Sequence, residues 1–186
     1  MNFSKFIFLI VLVLVVGVGC SSQSKNSSPP LLTVKKVEVD RYLGNWFSVA
    51  RIPNRFEKDC LQSKAEYSLE NDNSLKVINI CPTKSGGVSR VDGRAWIVDS
   101  SNAKLEVGFF QILGWYPGFA RGDYWILGLG PIDERGLYSY AVVGEPSRKY
   151  GWILARSTVL EENLLVEAFK IVRQQGYSTD AFELVK

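Results

Sequence analysis

The chain contains no histidine. That excludes a Ser-His-Asp triad, a Cys-His pair and any His-ligated zinc site within it. Cysteine is scarce as well: Cys20, Cys60 and Cys81 are too few for a zinc centre of four thiolates. Neither sign of charge is in real surplus, since 22 Lys and Arg against 19 Asp and Glu leave +3 over 186 residues. So small and unclustered an excess argues against nucleic acid as a partner. Repeats of solenoid period are absent. Long apolar runs are rare, and Phe6 to Val16, eleven residues, is too short to span about 30 Å of bilayer hydrocarbon.

That run has a setting. Lys5 precedes it and Gly17-Val18-Gly19-Cys20 follows. A basic start, a short apolar core and small residues before a break are the parts of a secretory signal. The break resembles a bacterial lipobox, with Gly17 where Leu is usual. Residues 1–19 would then be a lipoprotein signal peptide, and Cys20 the palmitate-bearing first residue of a mature chain. The alternatives are a plain signal peptide or an uncleaved anchor. Ser21 to Pro30 is polar and Ser-rich, with no means of forming a core. We place an acylated, flexible tether at 20–36 and the folded domain at 37–186. Ser21 after the cysteine resembles outer-membrane sorting. The expected location is therefore the bacterial outer membrane, lipid-anchored and facing the periplasm.

From Gly44 onward, short apolar segments alternate with turn signals. Ala65, Tyr67 and Leu69 alternate with Lys64, Glu66 and Ser68, the period of a half-buried strand. Strands are predicted over 44–52, 63–69, 75–81, 88–98, 105–110, 123–129, 138–144 and 150–156, at the regular spacing of an antiparallel barrel or sandwich. Glu161 to Gln175 switches to helical period, with Leu164, Leu165, Ala168, Phe169 and Val172 on one stripe and Gly176 as its stop. Phe182 to Val185 predicts a last short strand.

These residues resemble the lipocalin family, most closely its branch of bacterial outer-membrane lipoproteins and apolipoprotein D. The first motif is Gly44-Asn45-Trp46, flanked by Tyr42-Leu43 and, further on, Ala50-Arg51-Ile52-Pro53. The second is Asp133 with Tyr138, separated by Glu134 to Leu137. The third is Trp152 to Ser157, whose Arg156 normally covers the signature tryptophan. The resemblance spans Val39 to Lys186. It implies an all-β fold, an eight-stranded up-and-down barrel with the helix packed outside and a short final strand.

Such a barrel holds one small ligand when its interior is not filled. Alternation, read with the family pattern, assigns to the ligand Ala65, Tyr67, Val77, Asn79, Ala95, Leu105, Val107, Phe109, Tyr124, Ile126, Val143, Tyr150 and Trp152. Gly93, Gly128, Ala141 and Leu154 complete the inward face. The glycines and alanines leave space, or serve strand bends if the barrel is filled. The expected ligand is a fatty acid or lysophospholipid, with no cofactor, metal or catalytic residue, since no close carboxylate pair falls inside. The alternatives are a small lipid-directed enzyme or a passive envelope lipoprotein. A homodimer is compatible with the sequence. Trp115, Tyr116 and Phe119 in the loop from Gln111 to Arg121 are expected beside the mouth, as membrane contacts or as a lid. Arg55, Lys84, Arg148 and Lys149 could meet a charged headgroup there. With Cys20 acylated, Cys60 and Cys81 remain as a disulfide pair in an oxidising compartment. If Tyr67 pairs with Val77, Cys60 falls opposite Lys84, so an offset of about three residues must be absorbed.

Overall fold

The computed structural model describes residues 29–185. The signal segment, Cys20 and the tether up to residue 28 lie outside the described residues. A short helix, α1 (Val39–Tyr42), leads into β1 (Gly44–Arg51). Then follow β2 (Lys64–Leu69), β3 (Leu75–Pro82), β4 (Val88–Ile97), β5 (Lys104–Gly108), β6 (Arg121–Leu129), β7 (Tyr140–Gly144) and β8 (Gly151–Ala155). Each is antiparallel to the next, and β1 pairs with both β8 and β2, closing the cylinder. Helix α2 (Glu162–Gln174) lies outside, and β9 (Glu183–Leu184) adds to β1 at Ala50 and Arg51. The predicted elements are all present with shifted ends. α1 is the addition, too short to show a period in sequence.

Alternation explains how one sheet serves two cores. Trp46, Tyr67, Leu75, Val77, Ala95, Leu105, Ile126, Ala141, Val143 and Leu154 point into the barrel. On the outer face Leu127, Tyr140, Val142 and Ile153 pack with Ala168 and Val172 of α2. That is why β7 is buried along its whole length. A bulge between Ile126 and Gly128 breaks the parity of β6. It turns Gly128 outward, where a side chain would come within 2.6 Å of Ile171 of α2. The expectation that Gly128 frees interior space is thus corrected: this glycine lets the helix approach the sheet.

The connections β2–β3, β4–β5 and β6–β7 gather at one end, and the N-terminal segment closes it. Val34 donates to the Ile126 carbonyl at 3.0 Å, and Val37 to that of Ser101 at 2.8 Å. Trp46 is fully buried there and donates from Nε1 to the Tyr42 carbonyl at 2.8 Å. The Arg156 guanidinium lies 3.6 Å from the centre of its ring. The same guanidinium donates to four carbonyls, those of Arg41, Leu43, Asn45 and Tyr138. Burial pulls its pKa down to about 10, which leaves it charged at neutral pH. The second motif serves this end too. Asp133 accepts from the backbone of Arg135 and Leu137, and the Tyr138 hydroxyl accepts from the Glu38 amide. The Leu137 amide and the Arg135 side chain hold the Asp133 carboxyl below its ordinary pKa.

The disulfide joins Cys60 to Cys81, with Cα atoms 5.4 Å apart. Tyr67 does pair with Val77, and the β2–β3 ladder ends at Lys64 and Ile80. Beyond it Cys60 bridges to Thr83. The slip is therefore one residue where three were expected, because the covalent link runs diagonally across the pair.

Trp46→Ala removes the largest side chain of the closed end and the surface on which Arg156 stacks. The expected loss is about 3–5 kcal/mol of unfolding free energy, measured by denaturant titration. A loss below about 1 kcal/mol would contradict this account of the closed end.

Candidate ligand-binding site

The other end carries the connections β1–β2, β3–β4, β5–β6 and β7–β8. Between it and the closed end lies an apolar interior. Tyr67, Val77, Ala95, Leu105, Ile126 and Val143 are buried in its core, with Ala65, Val107, Tyr124 and Trp152 packed against them. Asn79 pairs with Ala65 and shares its face toward the open end. Tyr150 stands just before β8, its ring stacked on Trp152 at 6.2 Å. Gly93, paired with Val77, faces inward as expected, but a side chain there would overlap the Phe109 ring. Phe109 thus occupies the space that Gly93 leaves.

Three tyrosines form the polar feature of this interior. The Tyr42 and Tyr124 hydroxyls lie 2.7 Å apart, and the Tyr67 ring centre lies 6.2 Å from that of Tyr124. Tyr42 and Tyr67 are buried and Tyr124 is partly buried against apolar neighbours, which penalises the phenolate. Burial pushes the Tyr67 phenol up to about 12, and raises Tyr42 and Tyr124 well above their ordinary value. They are hydrogen-bonding hydroxyls at neutral pH. Near Tyr42, Leu75, Leu105 and Ile126 a void of about 10 Å³ remains.

At the mouth, Trp152 donates from Nε1 to Glu57 at 2.7 Å, and Glu57 pairs with Arg51 at 3.3 Å. The β1–β2 connection is thereby pinned to β8. The β5–β6 connection turns the other way. Tyr116 packs edge-on against Trp96 at 5.3 Å, on the outside of the barrel. Arg121 lies 3.9 Å from the centre of the Trp96 ring and donates to the Tyr116 carbonyl at 3.0 Å. Of the two expectations for this loop, the lid is corrected, because Tyr116 fastens it to the outer wall. Ile112 and Trp115 exchange both backbone hydrogen bonds around Leu113 and Gly114, whose φ values are 51° and 81°. This is a two-residue turn that favours Asn or Gly, so Leu113 sits there at a cost of about 1–2 kcal/mol. Leu113 is fully exposed and Phe119 is 83% exposed.

With this geometry in place, the comparisons are decisive for kinship. A model of the lipocalin-like domain matches residues 37–186. The chain belongs to the lipocalin family. The temperature-induced lipocalin-1 of Arabidopsis thaliana is 35% identical over 150 residues, covering 77% of this chain and 76% of that protein. The outer membrane lipoprotein Blc of Escherichia coli K12 is 31% identical over 167 residues, covering 88% and 85%. Apolipoprotein D of Macaca fascicularis is 34% identical over 136 residues, covering 72% and 67%. Among solved structures, insecticyanin of the tobacco hornworm Manduca sexta superposes with a TM-score of 0.63 at 18% identity, over 86% of each chain. That last likeness concerns the fold.

For this lipocalin the inward parity was readable from sequence except at the β6 bulge. Tyr42 was missed as an interior residue, since it lies in α1 outside any strand pattern. Leu75 could have been found, because it shares parity with Val77. Glu57 as partner of Trp152 left no local signal, the two being 95 residues apart.

The tyrosines set a pH limit. Their phenols ionise near pH 10 when unfolded and higher when folded, so the unfolded state loses protons first and stability falls as pH rises above about 10. Absorbance titration should show the signals of Tyr42, Tyr67 and Tyr124 appearing only with the unfolding transition. Replacing all three by Phe should remove that delayed component. Ionisation of these tyrosines in the folded barrel, at the pH of free phenol, would contradict their burial.

Proposed function

We propose that this lipocalin is a lipid-anchored carrier that takes a single acyl chain, of a fatty acid or lysophospholipid, into the barrel. The observation that carries this is the apolar inner face, closed at one end by Trp46 and Arg156 and bordered toward the other by the part-exposed ring of Phe109 over Gly93. The kinship with outer membrane lipoproteins supports attachment through Cys20 at the outer membrane, facing the periplasm. Carriage rather than catalysis is the reading, because the inner face offers neutral hydroxyls and no carboxylate pair.

The void beside Tyr42 and Leu75, about 10 Å³ near the closed end, is far smaller than a ligand. Small-molecule pockets begin at about 300 Å³. Uptake therefore requires side chains to yield, and Phe109 is the one so placed, 40% exposed and at the end of β5. It would leave its place over Gly93 as the chain enters past Trp152 and Tyr150 toward Tyr67 and Tyr124. The small void also favours a second reading, a filled barrel with no ligand, and the same experiment separates them.

A series of saturated fatty acids, titrated against tryptophan fluorescence, should bind with affinity rising by about 0.8 kcal/mol per methylene until the interior is full. Phe109→Ala should strengthen binding, and Ala95→Phe or Ala141→Phe should shorten the preferred chain. Absence of binding would establish the filled barrel. Affinity independent of chain length, unchanged in all three variants, would place the ligand outside it.

A further inference from the structure

We propose that the open end of the barrel is a docking surface for the phospholipid leaflet that anchors the chain, so that the mouth faces the lipid. This rests on the reading that Cys20 is acylated. Three observations carry it. The first is where the described residues begin. Arg148, in the β7–β8 connection, holds the Pro29 carbonyl and that of Gln175, and the Leu32 amide donates to the Gln175 side chain at 2.9 Å. The tether therefore leaves the fold at the open end. From Cys20 to Pro29 it can reach at most about 30 Å, which keeps that end close to the anchoring lipid.

The second is the distribution of exposed apolar side chains. Phe56, Leu61, Val88, Phe109, Phe110, Ile112, Leu113, Trp115 and Phe119 are exposed on the open-end connections or the strand ends beside them. At the closed end stand only Leu69, Val98, Ile132 and Val159, without an aromatic, among the described residues. The exposed hairpin tip is held rigidly, since Tyr116 and Arg121 clamp its base to Trp96. A leucine in a left-handed turn and fully in solvent serves no packing role there. Trp and Phe at such a tip suit the bilayer interface.

The third is charge. Apart from Glu57, which is paired with Arg51, the open-end connections carry Arg55, Lys58, Lys84, Arg148 and Lys149 against Asp59 and Glu145. A basic rim around apolar tips fits a leaflet containing anionic phospholipid.

The test uses residues 21–186, which hold every described element and lack the acylation site, with phosphatidylcholine vesicles with and without one quarter phosphatidylglycerol. Leu113→Asn and Phe119→Ser are combined, and Val159→Asp serves as the closed-end control. The parent chain should sediment with vesicles, more with the anionic lipid, and the double variant should lose binding at least about tenfold. The control should bind as the parent. Asn suits the left-handed position, so Leu113→Asn should raise the thermal midpoint, and the double variant should not fall below the parent. Should Phe119→Ser disturb the fold, Leu113→Asn alone must still weaken binding. Equal binding by parent and variants, absence of binding by the parent, or a change of oligomeric state in place of vesicle binding would overturn the proposal. Fatty-acid affinity in solution, measured in parallel, should be unchanged in the double variant. Absence of fatty-acid binding by the parent chain would count against the carrier reading and leave docking standing.

Discussion

The contact between Arg156 and Trp46 closes the barrel, and the rest of the molecule is arranged around a cylinder shut at that end. Carbonyls at strand ends have no ladder partner, and burying them unpaired is costly. Here α1, the start of β1 and the approach to β7 each present such carbonyls, and one guanidinium takes four of them. Its plane lies on the indole, so the surface of the charge that faces no carbonyl is covered by a ring that attracts it. Lysine has three donors on a point charge and no plane to stack. It could not join these segments in the same way. Arginine also tolerates the burial, since a pKa of about 10 still leaves it ionised.

With one end shut, direction follows. Anything entering the interior must come from the end where β1–β2 and β7–β8 meet through Glu57 and Trp152. The tyrosine hydroxyls lie deeper, where they remain neutral because an apolar surrounding penalises their ionisation. The described residues also begin at the open end, beside Arg148. The closed end and the open end are therefore chemically different surfaces, one capped by backbone hydrogen bonds and one fringed by aromatic side chains.

Much of this was legible before any coordinates, and for definite reasons. Period-two alternation survives wherever one face meets the interior and the other meets water, as in Ala65 to Leu69. Where α2 covers the outer face, alternation vanishes, and Tyr140 to Gly144 is buried throughout. The bulge in β6 reassigned Gly128, because one extra residue reverses every later side chain while leaving composition unchanged. The pairing of Cys60 with Cys81 followed from counting. The register around it did not, because the ladder stops before the cysteines and the bond crosses it diagonally. The direction of the loop from Gln111 was likewise hidden. It is decided by Trp96 and Arg121, which the local pattern of that loop does not contain.

Gly93 shows why a sequence can announce room without announcing a cavity. The missing side chain does leave volume inside the barrel, as its pairing with Val77 requires. A neighbouring strand then supplies Phe109 to fill it. Close packing of this kind is the rule in protein interiors, which hold few voids larger than a water molecule. A side chain on residue 93 itself, which is buried, would keep that volume occupied. A ring reaching in from the end of β5 makes it exchangeable, because the ring can turn out to the solvent that already touches it. The void of about 10 Å³ lies near the closed end, beside Val37, Tyr42, Leu75 and Ile126, away from this ring. In the carrier proposed above, binding an acyl chain would exchange one apolar contact for another, with net affinity set by how far the chain extends beyond the space Phe109 gives up.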